Sequence, residues 1–415
     1  MNFDNSQPRL YRSTDDSQPA LCKIIADRIA ASPHRRITFS EYMDTALYHP
    51  KHGYYSTKAV NLGQQGDFFT SVHLGGEFGE LLMVQFLQMW EILGRPVPFS
   101  LVEMGAGQGF LALDVLKSIQ QQNLDFFKAL NYIIVEKSSA LRLEQQQRLQ
   151  EFPVSWCDLE EIPSNSIVGC FFSNELVDAF PVHQFILKDE QLQEIYVTTS
   201  TDGEEENVSA SSSRPTPSFV EVSGEPSTIQ LTQYLDLVSI NALSAYPDGF
   251  RSEINLAALH WLGIVANRLQ RGYVLTIDYG YSASRYYNPR RSQGTLQCYY
   301  QHQRHNNPYI NVGRQDITTH VDFTALERWG QSCGIDKVGF TQQGLFLMAL
   351  GLGERLAMLS YTEQPVSQLL GRRDSLHQLL DPLGLGGFGV LIQSKGLTKT
   401  ETIQPLKGLI VPDQT

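Results

Sequence analysis

Leu101-Val-Glu103-Met-Gly105-Ala-Gly107-Gln-Gly109 carries three alternating glycines directly behind an acid. Glycines permit a tight turn and let a ligand approach the backbone closely. A dinucleotide loop wants a small residue at the sixth position, where this chain has Phe110, and a phosphate-binding P-loop needs Gly-Lys-Ser/Thr after four spacers, which is absent. Glu103 would repel a pyrophosphate and welcome an ammonium or sulfonium group. A nicotinamide oxidoreductase is disfavoured on both counts. Glu136 follows the apolar run from Tyr132, 27 residues beyond Gly109. An acid at that place accepts both hydrogen bonds of a ribose diol. Asp158, in Cys157-Asp158-Leu159, is placed to accept from an adenine amino group. Three acids at successive strand ends suit a cationic, ribose-bearing adenine ligand, S-adenosylmethionine (SAM). The plainer alternative is that the acids cap helices.

A second set follows at Ser173-Asn174-Glu175-Leu-Val-Asp178. The spacing predicts a short helix from Glu175, with Glu175 and Asp178 at i and i+3 on one face. Paired carboxylates grip a planar guanidinium bidentately. Asp278, in Asp278-Tyr279-Gly280, either holds substrate or closes a turn. His49/His52 and His302/His305 give two HxxH pairs in loop-like stretches without a third acidic ligand, so no metal site is expected. His73 and His320 read as hydrogen-bonded loop residues.

The elements that must position these groups follow from periodicity. Helices are predicted from Leu21 to Ala31, from a Thr38/Glu41 capping box to His49-Pro50, and through Phe78 to Leu93. The pattern then alternates: strands at 99–103, 132–136, 153–157, 166–173 and 273–277, and helices at 109–121, 138–150 and 254–269. Strand and helix in alternation imply parallel strands with crossover helices. A hairpin is expected at 182–187 and 192–198, a mobile insertion rich in Ser, Glu, Pro and Gly at 199–228, and loop at 281–320. A helix from Phe323, a strand at 337–341, mostly helix over 345–380 and a last strand at 387–393 complete the reading. Hydrophobic residues make up 42% of the 415, enough for a sizeable core.

The ordered motifs resemble class I SAM-dependent methyltransferases, and within them the MidA family, related to mitochondrial complex I assembly methyltransferases. The matching residues are His49-Pro-Lys-His-Gly53-Tyr54-Tyr55, Gly66-Asp67-Phe68-Phe69-Thr70-Ser71, Phe78-Gly79-Glu80 and the glycine loop. They continue with Asn174-Glu175-Leu-Val-Asp178-Ala-Phe-Pro181-Val182, Asp278-Tyr279-Gly280 and Asp316-Ile-Thr318-Thr-His-Val-Asp322-Phe323. The chain departs from the family at Val72-His73, where Pro-Glu is usual. The resemblance implies an α/β fold: a Rossmann-like sheet, mostly parallel with an antiparallel last strand, plus an N-terminal helical cap and an inserted subdomain. It implies SAM as cofactor, held by Gly66, Asp67, Glu103, Gly105, Gly107, Gly109, Glu136, Asp158, Leu159 and Asn174. It implies an arginine of a protein substrate, such as a complex I subunit, as acceptor, with Glu175 and Asp178 as catalytic acids. A non-catalytic SAM-binding assembly factor and a small-molecule methyltransferase are the alternatives.

The division expected is a disordered segment at 1–20, a cap and lid at 21–95, and core at 96–187. An insertion at 188–253 and further core at 254–415 follow, with a helical insertion near 345–380. Thirty-two basic residues against 44 acidic give a net charge of −12, which makes a poor general nucleic-acid binder. No apolar run approaches the ~20 residues of a membrane span. The five cysteines are scattered without a CxxC pair. An N-terminus with no apolar stretch and with Asp4, Asp15 and Asp16 argues against secretory and organelle signals, and a cytoplasmic location is expected. The oligomeric state is open, a homodimer included.

Overall fold

A computed structural model describes residues 15–57, 71–200, 217–241, 243–359 and 366–410. Gly66, Asp67 and much of the 199–228 insertion lie outside the described residues.

Seven strands form the central sheet: β1 (Phe99–Met104), β2 (Leu130–Val135), β3 (Val154–Cys157), β4 (Ile167–Asn174), β5 (Leu269–Asp278), β6 (Asp336–Gln342) and β7 (Gly389–Lys395). Their order is β6-β7-β5-β4-β1-β2-β3. The five strands from β5 to β3 are parallel, while β7 runs antiparallel to both β5 and β6. This is the mostly parallel sheet with an antiparallel last strand that the sequence led us to expect.

The helices that cover it include α1 (Glu77–Ile92), α2 (Phe110–Gln122), α3 (Ser139–Arg148), α4 (Leu256–Arg268) and α5 (Phe323–Ser332). Successive strand side chains point to opposite faces. Leu101, Phe172 and Leu275 therefore pack with α1 and α2, while Val102, Phe171 and Val274 pack with α4 and α5. Both faces are covered, so β1 is buried along its whole length, and its continuous apolar run has a physical cause. The strand order reverses between β4 and β1, and their carboxyl ends open a crevice there.

A second sheet joins Ile37–Thr38, Gln191–Thr199, His183–Lys188 and Arg251–Ile254, with Phe219–Gly224 added to Gln191–Thr199. The hairpin is the one expected. Helix Phe39–Tyr48 starts on the anticipated box: the Glu41 amide donates to Thr38 Oγ1 at 3.1 Å, and the Thr38 amide to Glu41 Oε2 at 3.0 Å. Its apolar face, Phe39 and Met43 included, packs with Val197 of this sheet and with Val182 just before the strand His183–Lys188.

Three expectations need correction. The stretch expected as a mobile insertion at 199–228 contains the strand Phe219–Gly224, paired antiparallel with Gln191–Thr199. The stretch at 281–320 is not simply loop: Gln297–Tyr300, Gln303–His305 and Asp316–Thr318 form a small antiparallel sheet, turning at Gln301 and His302 with positive φ. The helix expected from Glu175 is absent. Glu175 itself is left-handed (φ 51°), and only a single 3-10 turn, Val177–Ala179, follows. Among the described residues, no helix is long and apolar enough to cross a membrane.

Candidate active site

A cavity of about 470 Å³ occupies the crevice at the carboxyl ends of β1 and β4. The glycine loop forms one wall. Gly105, Gly107 and Gly109 all have positive φ (73°, 52° and 79°), the region that favours glycine. A Cβ on Gly105 would strike Leu176 Cδ1 at 2.7 Å, whereas one on Gly107 would meet no atom within 4 Å. Gly107 borders open cavity, and a ligand can lie directly against its backbone.

Two acids line this end. Glu103 is 3% exposed and accepts from the Tyr132 hydroxyl at 2.6 Å. Burial pushes its carboxyl up to about 7, a rise that the Tyr132 bond limits. Glu136, just past β2, takes the Ser138 amide on Oε1 at 2.9 Å and Gln145 Nε2 on Oε2 at 3.2 Å. Burial raises its pKa too, against those bonds. Gln145, fully buried on α3, also donates to the Gly107 carbonyl at 2.7 Å and accepts from Trp156 Nε1 at 3.0 Å. One amide thus ties the glycine loop to the acid beside it.

At the other end stand Glu175 and Asp178. Their turn is hung on Asp278, the buried last residue of β5: Asp278 Oδ2 accepts from the amides of Leu176, Val177 and Asp178 at 3.2, 2.9 and 3.3 Å. Gathering three amides on one oxygen favours a tight turn over a helix. It also brings both acids onto the cavity wall without helical spacing. Asp178 is 6% exposed; Oδ2 accepts from the Tyr279 hydroxyl at 2.6 Å, and Oδ1 is buried with no hydrogen-bond partner among the described residues. Burial pushes Asp178 up to about 6. Glu175, half-buried, is pushed up to about 8, first by desolvation and then by Asp178, against the hydrogen bond that Asn174 Nδ2 donates at 3.2 Å. Asp278 is raised well above the carboxylate range by burial and by its two acidic neighbours.

The structure brings Glu103, Gly105, Gly107, Glu136, Asn174, Glu175 and Asp178 to one cavity. Gly109 is the residue before α2 and stands behind the wall, against Gln145. Asp158 does not line the cavity: its side chain is 54% exposed and ion-paired with Arg142. Leu159 is in the core with Val102 and Met104. Tyr48, Tyr55 and Asp316 line the cavity and escaped the site reading, as did Gln145 behind it, although Tyr55 and Asp316 stand inside the motifs quoted above. The Tyr48 and Tyr55 rings stack at 5.4 Å, and the Tyr55 hydroxyl reaches Asp316 Oδ1 and Oδ2 at 3.0 and 2.9 Å.

The residues present fit SAM: a loop open at Gly107, a buried acid for a ribose diol, and negative charge for a sulfonium. Comparison with known proteins agrees. The model of a family described as S-adenosyl-L-methionine-dependent methyltransferase matches residues 81–341. The mitochondrial protein arginine methyltransferase NDUFAF7 homolog of Drosophila melanogaster is 29% identical, over 93% of this chain and 87% of that protein. The Homo sapiens protein of that name, also mitochondrial, is 27% identical, over 78% and 72%. A structure from Burkholderia thailandensis bound to S-adenosyl-homocysteine superposes with a TM-score of 0.79 at 28% identity, covering 94% of each chain. The mitochondrial relatives overturn the expectation of a cytoplasmic location, which rested on a few N-terminal acids. The family match spans more than half of the sequence, and the chain belongs to the MidA-like family of SAM-dependent methyltransferases, with SAM as its cofactor.

Proposed function

We propose that the methyl acceptor is an arginine side chain of a protein, such as a respiratory complex I subunit during its assembly. The observation that carries this is Asp178 Oδ1, a buried acceptor with no hydrogen-bond partner among the described residues, beside Glu175 in the same cavity. Buried carboxylates held this way call for a cationic donor, and a guanidinium offers five N–H groups in a plane. The names of the Drosophila melanogaster and Homo sapiens relatives support the reading.

SAM supplies an electrophilic methyl group on a sulfonium. In this proposal Glu103, Gly105, Gly107 and Glu136 hold the cofactor, with Glu136 taking the ribose diol. Glu175 and Asp178 clamp the guanidinium and align one of its nitrogens with the methyl. Glu175, pushed up to about 8, is suited to hold the proton which that nitrogen loses. Asp278 is a positioning residue: it sets the turn and touches neither ligand.

Glu175→Gln tests the assignment. It preserves shape and removes the charge. SAM affinity by calorimetry should stay within about twofold, while methyl transfer to complex I subunits, read by mass spectrometry, should fall at least ~100-fold. Transfer at the wild-type rate would remove Glu175 from the acceptor site. Loss of SAM binding as well would assign both acids to the cofactor or the fold.

A further inference from the structure

The cavity has a third carboxylate near its acceptor end, and it comes from a different element. Asp316 opens the strand Asp316–Thr318, 3% exposed and lining the cavity. That strand lies against the turn bearing Asp178, since the Thr319 amide donates to the Asp178 carbonyl at 2.9 Å. Tyr55 holds both carboxylate oxygens of Asp316 through one hydroxyl, and Tyr48, stacked on Tyr55, donates to the Ala179 carbonyl at 2.8 Å. Asp316 is thereby fixed relative to Asp178, whose Oδ1 lacks a donor among the described residues.

Glu175 and Asp178 are three positions apart on one turn and together can take one edge of a planar guanidinium. The N–H groups of the other edge would then have no acceptor from this turn, and losing hydrogen bonds to water without replacement costs affinity. An ammonium is different: its three donors sit on one nitrogen, and two carboxylates with a hydroxyl satisfy them. A third acid on a separate element therefore matters to one cation and not to the other.

We propose that Asp316 is a specificity-determining residue that accepts from the guanidinium edge left unmet by Glu175 and Asp178, and so selects arginine over lysine. This rests on the arginine reading above. The stacked rings of Tyr48 and Tyr55 give the planar group a flat wall.

The test uses the full chain saturated with S-adenosyl-homocysteine and two probes, Nα-acetyl-arginine amide and Nα-acetyl-lysine amide, titrated by ligand-observed NMR. Wild type should favour the arginine probe. Asp316→Asn should weaken that probe at least about tenfold and the lysine probe less than about threefold, with S-adenosyl-homocysteine affinity unchanged. Asp316→Glu should recover part of the loss. Should Asp316→Asn fail to fold, Tyr55→Phe keeps the ring, removes the hydroxyl that holds Asp316, and should give an intermediate loss for arginine alone. Equal loss for both probes, or no loss, overturns the proposal for Asp316 while leaving the arginine reading standing. A wild type that favours the lysine probe, or binds neither, overturns both.

Discussion

Gln145 divides its two amide hydrogens between the Gly107 carbonyl and the Glu136 carboxylate, and its oxygen is held by Trp156. The loop that a ligand lies against and the acid that grips it are therefore set by one side chain. Gln145→Glu would turn that shared donor into an acceptor facing another carboxylate. SAM affinity should fall at least about tenfold, because a hydrogen bond to a charged group contributes roughly 1.5–3 kcal/mol and each decade is ~1.4 kcal/mol. Glu136→Ala should weaken SAM by a similar factor, and calorimetry on both variants checks the pair. If Gln145→Glu binds like wild type, the tie is incidental. Glu103 and Glu136 were legible in the sequence because each ends an apolar strand, where chain direction alone puts a side chain at the crevice. Asp158 ends a strand too, but Arg142 from the neighbouring helix takes its charge, a partner 16 residues away that no local pattern announces. Gln145 was illegible for the opposite reason: a glutamine in a polar helix looks like surface until the fold buries it.

At the scale of elements, β1, β4 and β5 approach closely at the edge remote from the site. Gly169 pairs with Ser100 on one side and Gly272 on the other. A Cβ on Gly169 would sit 2.0 Å from the Ser100 carbonyl oxygen, and one on Gly272 1.9 Å from that of Gly169. Both have positive φ, 152° and 137°. Gly169→Ala should therefore destabilise the fold by about 2–4 kcal/mol, read as a lower urea midpoint. The folded fraction should bind SAM normally, since the cavity lies at the other end of these strands. The central strands and their helices were legible because a buried parallel sheet writes continuous apolar runs. Strands Phe219–Gly224 and Arg251–Ile254 were not, since each is defined by a partner on the distant hairpin. The turn after β4 misled for a local reason: its i, i+3 acids look helical, while the hydrogen bonds that shape it come from Asp278, a hundred residues on.

For the whole molecule, the buried acids make stability depend on pH with a definite sign. Burial lifts Asp178, Glu103 and Glu175 to about 6, 7 and 8, all above the usual carboxylate values. A group whose pKa is raised on folding favours the fold fully below its unfolded pKa, and loses that contribution as pH climbs through the folded one. The ligand-free protein should therefore lose melting temperature between about pH 4 and 8, by several degrees in total, and level off above. Glu175→Gln should flatten the upper part of that slope. A cationic ligand should flatten it as well, releasing protons that calorimetry in buffers of different ionisation enthalpy would count. A flat profile for the free wild type would mean that these acids are solvated.

The place of β7 in the sheet has a consequence for how the protein is made. Among the described residues, every one lining the cavity precedes Ile317, yet the sheet beneath them is joined only when Gly389–Lys395 enters between β5 and β6. A ribosome emits the chain from the N-terminus at roughly 5–20 residues per second. For several seconds all the chemistry of the enzyme is outside the tunnel while one edge of β5 stands open and apolar. The central sheet beneath the cavity can close only after Gly389–Lys395 has emerged, well after the last residue of the cavity wall.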